Sequence, residues 1–334
     1  MPIPVLTRVA PPVKAPALPV PPLPVKWGRT SVSVIGSNGQ GEELSLTSFS
    51  DRGWPTVIMQ PGATGLDMPP YALFSDESPN LDGSIFRNAR AAAREIMIPV
   101  YLYGIDRQTI NQLKRKLFQL FNPKRGYCVL RFTEGDGISR NLSCYYKGGM
   151  EGAEGTDTAG FTWAKYGLTF TAMDPWFYPE RDESVRWSFG TGEPLVSPSK
   201  PFFPMSLTNG VVGGDGQGLA IYNPGDVEAW PVWVLQGPIR SFSLVGPYGA
   251  SVAAPVPADN SDLVPAGRTL TIDTRPGRKT VRDDLGTNYW ASLSASPQFW
   301  SVEPGETFAN VSVVTGSGMA AVTLSFTPRY ASYV

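Results

Sequence analysis

Apolar and polar residues alternate with a period of two along most of this chain, and only one stretch carries the longer period of a helix. Thr30–Ile35 and Glu43–Phe49 alternate, and Thr56–Met59 is a short apolar run. Arg94–Tyr103 sets Ile96, Ile98, Val100 and Leu102 on one face, while Pro99 removes a ladder hydrogen bond and predicts an edge or bulge position. The helical stretch follows. Asp106 can cap it, Ile110, Leu113, Leu117, Leu120 and Phe121 form its stripe, and Asn122-Pro123 ends it, which predicts a helix over 106–121. Tyr127–Thr133 and Arg140–Lys147 read as a hairpin whose centring on Asp136 sets Cys128 opposite Cys144. Phe161–Ala172 is a further strand. Beyond it, short strands are predicted at Met205–Thr208, Leu219–Tyr222, Pro231–Leu235, Ser241–Val245, Thr269–Asp273, Tyr289–Leu293, Ala309–Val314 and Ala321–Phe326.

The breaks in this pattern suggest the domain organisation. Residues 1–26 carry nine prolines, three basic residues and no acid, so they favour polyproline II and bury no core. They read either as a disordered leader or as an arm that lies on a neighbouring subunit. Gln60–Gly83 reads as a long Gly-, Pro- and Asp-rich loop, a kind usually functional or interfacial. A polar, proline-interrupted stretch over 179–201 marks a domain boundary near its start. The expected division is an arm over 1–26, a β-rich domain with one helix over 27–178, and a β-sandwich or jelly roll over 179–334. The fold class is mainly β.

Composition then narrows the chemistry. No histidine occurs in 334 residues, which removes the Ser-His-Asp triad, the Cys-His pair and the commonest metal ligand at once. Charged residues make up 17%, below the usual quarter or so, and the net charge is −1, unlike the basic face of a nucleic-acid binder. The basic residues of the helix, Arg115 and Lys116 among them, read as a solvated face. No apolar run is long enough for a transmembrane helix, and prolines interrupt any signal-peptide core, so the chain is expected to begin in a cytoplasm with both cysteines reduced. Cys128 and Cys144 read as two buried thiols ahead of a disulfide. The run Gly213–Gly218 lacks phosphate-loop spacing. The acids Asp76, Glu77 and Asp82 lack calcium-loop spacing. The adjacent pairs Asp283-Asp284 and Glu42-Glu43 point to opposite faces of a strand. No catalytic residue, cofactor or metal site is expected, and Trp230, Trp233 and Trp290 read as core before they read as sugar platforms.

Six segments, in order, resemble the distal tail proteins of long-tailed phages, the siphophages. Phe121-Asn122-Pro123 with Gly126 is similar to the family's corner after its helix, and Asp174-Pro175-Trp176 to the close of its first domain. Asn223-Pro224-Gly225 with Pro231, running into Gly237-Pro238, is similar to its strand pair. Gly267 with Ile272-Asp273-Thr274 matches a further element, and Glu303-Pro304-Gly305 and Thr327-Pro328-Arg329-Tyr330 complete the series. The resemblance implies a ring-forming first domain and a galectin-like β-sandwich as the second. It implies a structural, non-enzymatic virion protein at the distal end of the tail, a homo-hexameric hub through whose lumen DNA passes unread. Its implied partners are its own copies, the tail tube protein, the hub and tip proteins, receptor-binding proteins and the tape measure protein, with assembly in the host cytoplasm and no membrane insertion. A carbohydrate-binding sandwich that touches host glycans is the alternative reading, and a carboxylate-pair hydrolase a third.

Overall fold

The computed structural model describes residues 30–47, 56–77, 79–80, 82–152, 160–190, 209–212, 219–316 and 318–334. The 1–26 arm, the predicted strand Met205–Thr208 and the Gly213–Gly218 run lie outside them. The first half contains β1 (Ser31–Ile35), β2 (Glu43–Ser45), β3 (Thr56–Met59), β4 (Tyr71–Glu77), β5 (Ser84–Ala91) and β6 (Arg94–Tyr103). Helix α1 (Arg107–Phe121) follows, then β7 (Cys128–Thr133), β8 (Ser139–Gly148), β9 (Trp163–Ala172) and the short β10 (Tyr178–Pro179). Seven of these strands run in the order β2-β1-β7-β8-β9-β6-β3, with β10 beside β8. Just past β2, Thr47 bridges Ile58 and Leu46 accepts from the Met59 amide at 2.7 Å, so the last strand meets the first and the sheet closes into a barrel. Closure leaves few unpaired strand edges.

Alternation fills this barrel. Ile96, Ile98, Val100 and Leu102 of β6 are buried together with Val32 and Val34, Leu130 and Phe132, Leu142, Leu168 and Phe170. The helix adds Ile110, Leu113, Leu117 and Phe121 to the same core, as its stripe predicts. Asp106 caps it: its carboxylate accepts from the Thr109 amide at 2.7 Å. Pro99 departs from expectation, because β6 is interior and pairs with both β3 and β9. Its carbonyl accepts from Gln60 at 2.7 Å and its ring nitrogen faces the same side. There β3 has ended and the chain has not yet returned to bridge Met97 through Thr64. The missing donor thus falls in a gap of the ladder.

The second half is a two-sheet sandwich. It contains β11 (Glu183–Gly190), β12 (Asn209–Val212), β13 (Leu219–Asn223), β14 (Val232–Gln236), β15 (Ile239–Val245), β16 (Ser251–Ala254), β17 (Thr269–Asp273), β18 (Thr280–Asp283), β19 (Gly305–Thr315) and β20 (Met319–Phe326). One sheet runs β11-β20-β14-β17-β18 and the other β12-β19-β15-β16, with β13 also on β19. Their inner faces meet through Trp233, Leu235, Ile272 and Leu324 on one side and Phe242, Leu244, Val311 and Val313 on the other.

Three further expectations are corrected. Gln60–Gly83 is not all loop, since its second part is β4, hairpinned with β5. The polar stretch 179–201 contains β11, whose full length pairs with β20 at the sheet edge, where one face is left to water. Tyr289–Leu293 is a single 3-10 turn, Trp290–Ser292, seated against β18.

Candidate assembly site

The β4–β5 hairpin joins none of the three larger sheets. Alternate side chains of a strand point to opposite faces, so Tyr71 and Leu73 lie on one face of β4 and Phe74 on the other. Leu73 is 70% exposed, Phe86 64%, Ile85 51% and Phe74 46%, and Met68, just before β4 in the chain, 72%. The Arg87–Asp76 ion pair at 2.6 Å and Arg90, 5.8 Å above the Phe74 ring, are its own cross-links. A two-stranded hairpin alone in water is marginally stable, and this one displays apolar residues on both faces. Asp76, one of the loop acids considered for calcium, is spent on that ion pair.

Half of the predicted motif residues gather where the barrel meets the sandwich. The Asp174 carboxylate accepts from the Tyr178 hydroxyl at 2.6 Å and from the Trp176 amide, beside the buried Pro175. Burial and that neighbouring carboxylate push the Tyr178 phenol up. Asn223 is buried: its amide donates to Val227 and Val302 at 3.0 Å and its oxygen accepts from Gly225 at 2.9 Å, closing the turn through Pro224. A Cβ on Gly225 would stand 2.8 Å from the Arg329 backbone, so only glycine fits. Arg329 donates to the Glu228 carbonyl, pairs with its carboxylate at 3.0 Å and lies over the Trp176 ring. Thr274 donates its hydroxyl to the Pro231 carbonyl at 2.6 Å. Burial would raise the Asp273 carboxyl, but the bidentate hydrogen bonds from Arg275 outweigh it and hold that carboxyl below its usual range.

The remaining motif residues sit elsewhere. Phe121 stacks on Tyr146 at the margin of the barrel core, Asn122 caps the turn Pro123–Arg125, and Gly126 has φ 110° with Asn38 where a Cβ would be. Gly237, before the cis Pro238, lies under the Pro265 carbonyl, near the turn at Gly267 (φ 78°). Ile272 is core. These glycines, prolines and capping side chains shape turns; none presents a reactive group.

Sequence reasoning missed the C-terminal segment. Tyr330 and Phe177 exchange both backbone hydrogen bonds at 2.9 Å, Tyr333 stacks on Phe132 at 5.0 Å, and Ala331 donates to the Asp226 carboxylate at 2.7 Å. Arg94, 1% exposed, donates to the carbonyls of Gly65, Asp67 and Ala331, and Arg140 donates to Ser332 and stacks over Tyr330. The chain end therefore returns from the sandwich to cover the barrel. An aromatic pair in an eight-residue tail was the only signal of this in the sequence.

Among the described residues no three Cys, Asp or Glu side chains stand close enough to hold a metal ion, and no helix is long and apolar enough to cross a membrane. Cys128 and Cys144 face each other in register as buried free thiols, Sγ to Sγ 3.6 Å.

Residues 71–144, from the exposed hairpin to Cys144, match the family model of the phage tail protein RIFT-related domain. Among solved structures the fold is similar to the Dit protein of phage SPP1, at 14% identity and TM-score 0.56 over 89% of this chain and 98% of that one. That structure is presented as a paradigm of the hub adsorption apparatus in phages infecting Gram-positive bacteria. Chains of the phage p2 baseplate in its activated conformation, with strontium or calcium, align at 9% identity and TM-score 0.43, again over 89% of this chain and 98% of the other. No curated protein matches the sequence. The chain thus carries a phage tail domain over residues 71–144, within a fold similar to that of the SPP1 Dit protein.

Proposed function

We propose that this chain is the hub at the distal end of a siphophage tail, where copies close into a ring, six in number, around a lumen through which DNA passes. The observation that carries this reading is the β4–β5 hairpin: apolar on both faces, outside either core, and within the matched tail domain. A neighbouring copy would bury what the subunit leaves exposed, and rotational closure gives every copy the same cover. The tail tube and tail-tip proteins would stack on the ring's two rims, after assembly in the host cytoplasm. A net charge of −1 suits a lumen that must not grip DNA, since every contact would be repeated around the ring.

Light scattering on the purified chain, with negative-stain imaging, tests the reading. A species of about six subunit masses with an open centre is expected. The double substitution Leu73→Asp with Phe86→Asp should leave circular dichroism unchanged and abolish that species. Rings that persist at full yield in the double variant would overturn the hairpin's role.

One observation favours a second role for the sandwich. Tyr222 pairs with Glu306 across β13 and β19, which puts Phe308 diagonally beside Tyr222 on the outer face. Both rings are exposed, as an aromatic platform for a sugar ring would be. Glycan-array binding that is lost in Tyr222→Ala would establish it.

A further inference from the structure

Where α1 ends, an open cleft of about 240 Å³ is lined by Phe118, Phe121, Asn122, Pro123, Tyr146 and Met150. Phe118 is 51% exposed, one position from the buried Leu117. Tyr146 stacks on Phe121 at 5.6 Å with the planes 10° apart, so two parallel rings form the floor. The Tyr146 hydroxyl accepts from the Met150 amide at 2.9 Å and has its own proton left to donate. Aromatic rings with a hydroxyl donor are the recognition chemistry of polyproline II ligands, whose backbone carbonyls have no internal partners.

The chain supplies such a ligand. Residues 1–26 hold nine prolines, and Pro16, Pro19 and Pro22 recur every third residue. Polyproline II has three residues per turn, so these prolines line one edge of it. We infer that the Phe118–Tyr146 cleft is the dock for the proline-rich leader of a second copy of this chain, through the Pro16–Pro22 edge. This deepens the ring reading and rests on it.

The choice of a second copy follows from where the leader joins the fold. Thr30 is bonded to Glu134, and Ser31 pairs with Thr133, at the tip of the β7–β8 hairpin. The cleft lies past the other end of β7, where Ile35 pairs with Val129. The leader therefore joins the fold at the end of β7 away from its own subunit's cleft. Proline-rich chain is stiff over several residues and rises about 3.1 Å per residue, so the eight residues from Pro22 to Thr30 span roughly 25 Å. That stiffness opposes the sharp reversal needed to bring Pro16–Pro22 back along β1 to its own cleft.

The test uses the full chain with Phe118 replaced by the photo-crosslinking p-benzoylphenylalanine, in an equal mixture of isotopically light and heavy copies. Light exposure should join position 118 to peptides from 1–26, with light-to-heavy pairs abundant. In the background Pro16→Gly, Pro19→Gly and Pro22→Gly the yield should fall about tenfold. Crosslinks to the leader that form only within one copy would overturn the dock between copies. So would rings of normal mass whose position 118 never reaches residues 1–26. Loss of the ring itself would appear separately in the mass, and would count against the hub reading.

Discussion

At the scale of single residues, Arg94 does more than its place at the head of a strand foretells. Its guanidinium is buried, lies 5.0 Å from the centre of the Phe177 ring, and serves three carbonyls from two distant segments. Burial lowers its pKa to about 10, so it is still charged at neutral pH. Arg94→Met removes the donors and strands those carbonyls; we expect a loss of about 2–4 kcal/mol, read as a lower thermal midpoint. An unchanged midpoint would mean that water replaces the guanidinium without cost. Cys144 offers a second test. Burial pushes its thiol well up, and Cys128 beside it is buried too, so neither should react with an aromatic disulfide reagent at pH 8 until denaturant is added. Native reactivity would show that the β7–β8 pair opens locally. Asp106 carries a pH prediction. The Thr109 hydroxyl and amide hold its carboxylate below the usual range. A carboxylate with a lowered folded pKa stabilises the fold above the unfolded value of about 3.9, and that contribution fades as pH falls through the folded value. The stability difference between the native chain and Asp106→Asn should therefore shrink between pH 7 and pH 3.

At the scale of elements, the C-terminal segment acts as a strap. Tyr330 to Val334 give the barrel a backbone bridge, a ring on Phe132 and acceptors for two arginines. Removing Tyr330–Val334 should cost the barrel about 2–4 kcal/mol and speed amide exchange in β6 and β8, while β14 and β17 keep their protection. Uniform exchange across both halves would refute a local strap. The helix, the β7–β8 hairpin and most sandwich strands were legible because burial of one face imposes a period on the sequence. The β4–β5 hairpin was not. With neither face buried by its own subunit, Tyr71–Glu77 shows no alternation for a reader to find. The Trp290–Ser292 turn misled for a different reason, since alternation over five residues is too short to separate a strand from a turn packed on one.

At the scale of the whole molecule, the barrel and the sandwich have separate cores, joined at a seam of hydrogen bonds and ion pairs. The strap crosses that seam, so calorimetry on the intact chain should give one cooperative transition. Deletion of residues 327–334 should resolve two. Two transitions in the intact chain would show that the seam does not couple the cores. The motif residues of the candidate site were legible as turn formers, yet their convergence was not. Asp174, Asn223 and Arg329 are 49 and 106 residues apart in sequence, and no local pattern encodes such a meeting.

By itself the sequence determined a mainly β chain with one helix, two cysteines set opposite each other, and no histidine-based chemistry. All of these follow from residue type and short-range period. The tertiary structure alone decided that the first sheet closes at Thr47–Ile58, that the chain end returns to the barrel, and that one apolar hairpin is left uncovered. Those outcomes depend on long-range pairing and on which faces are buried. A short-range period records that a residue is buried, and never what buries it.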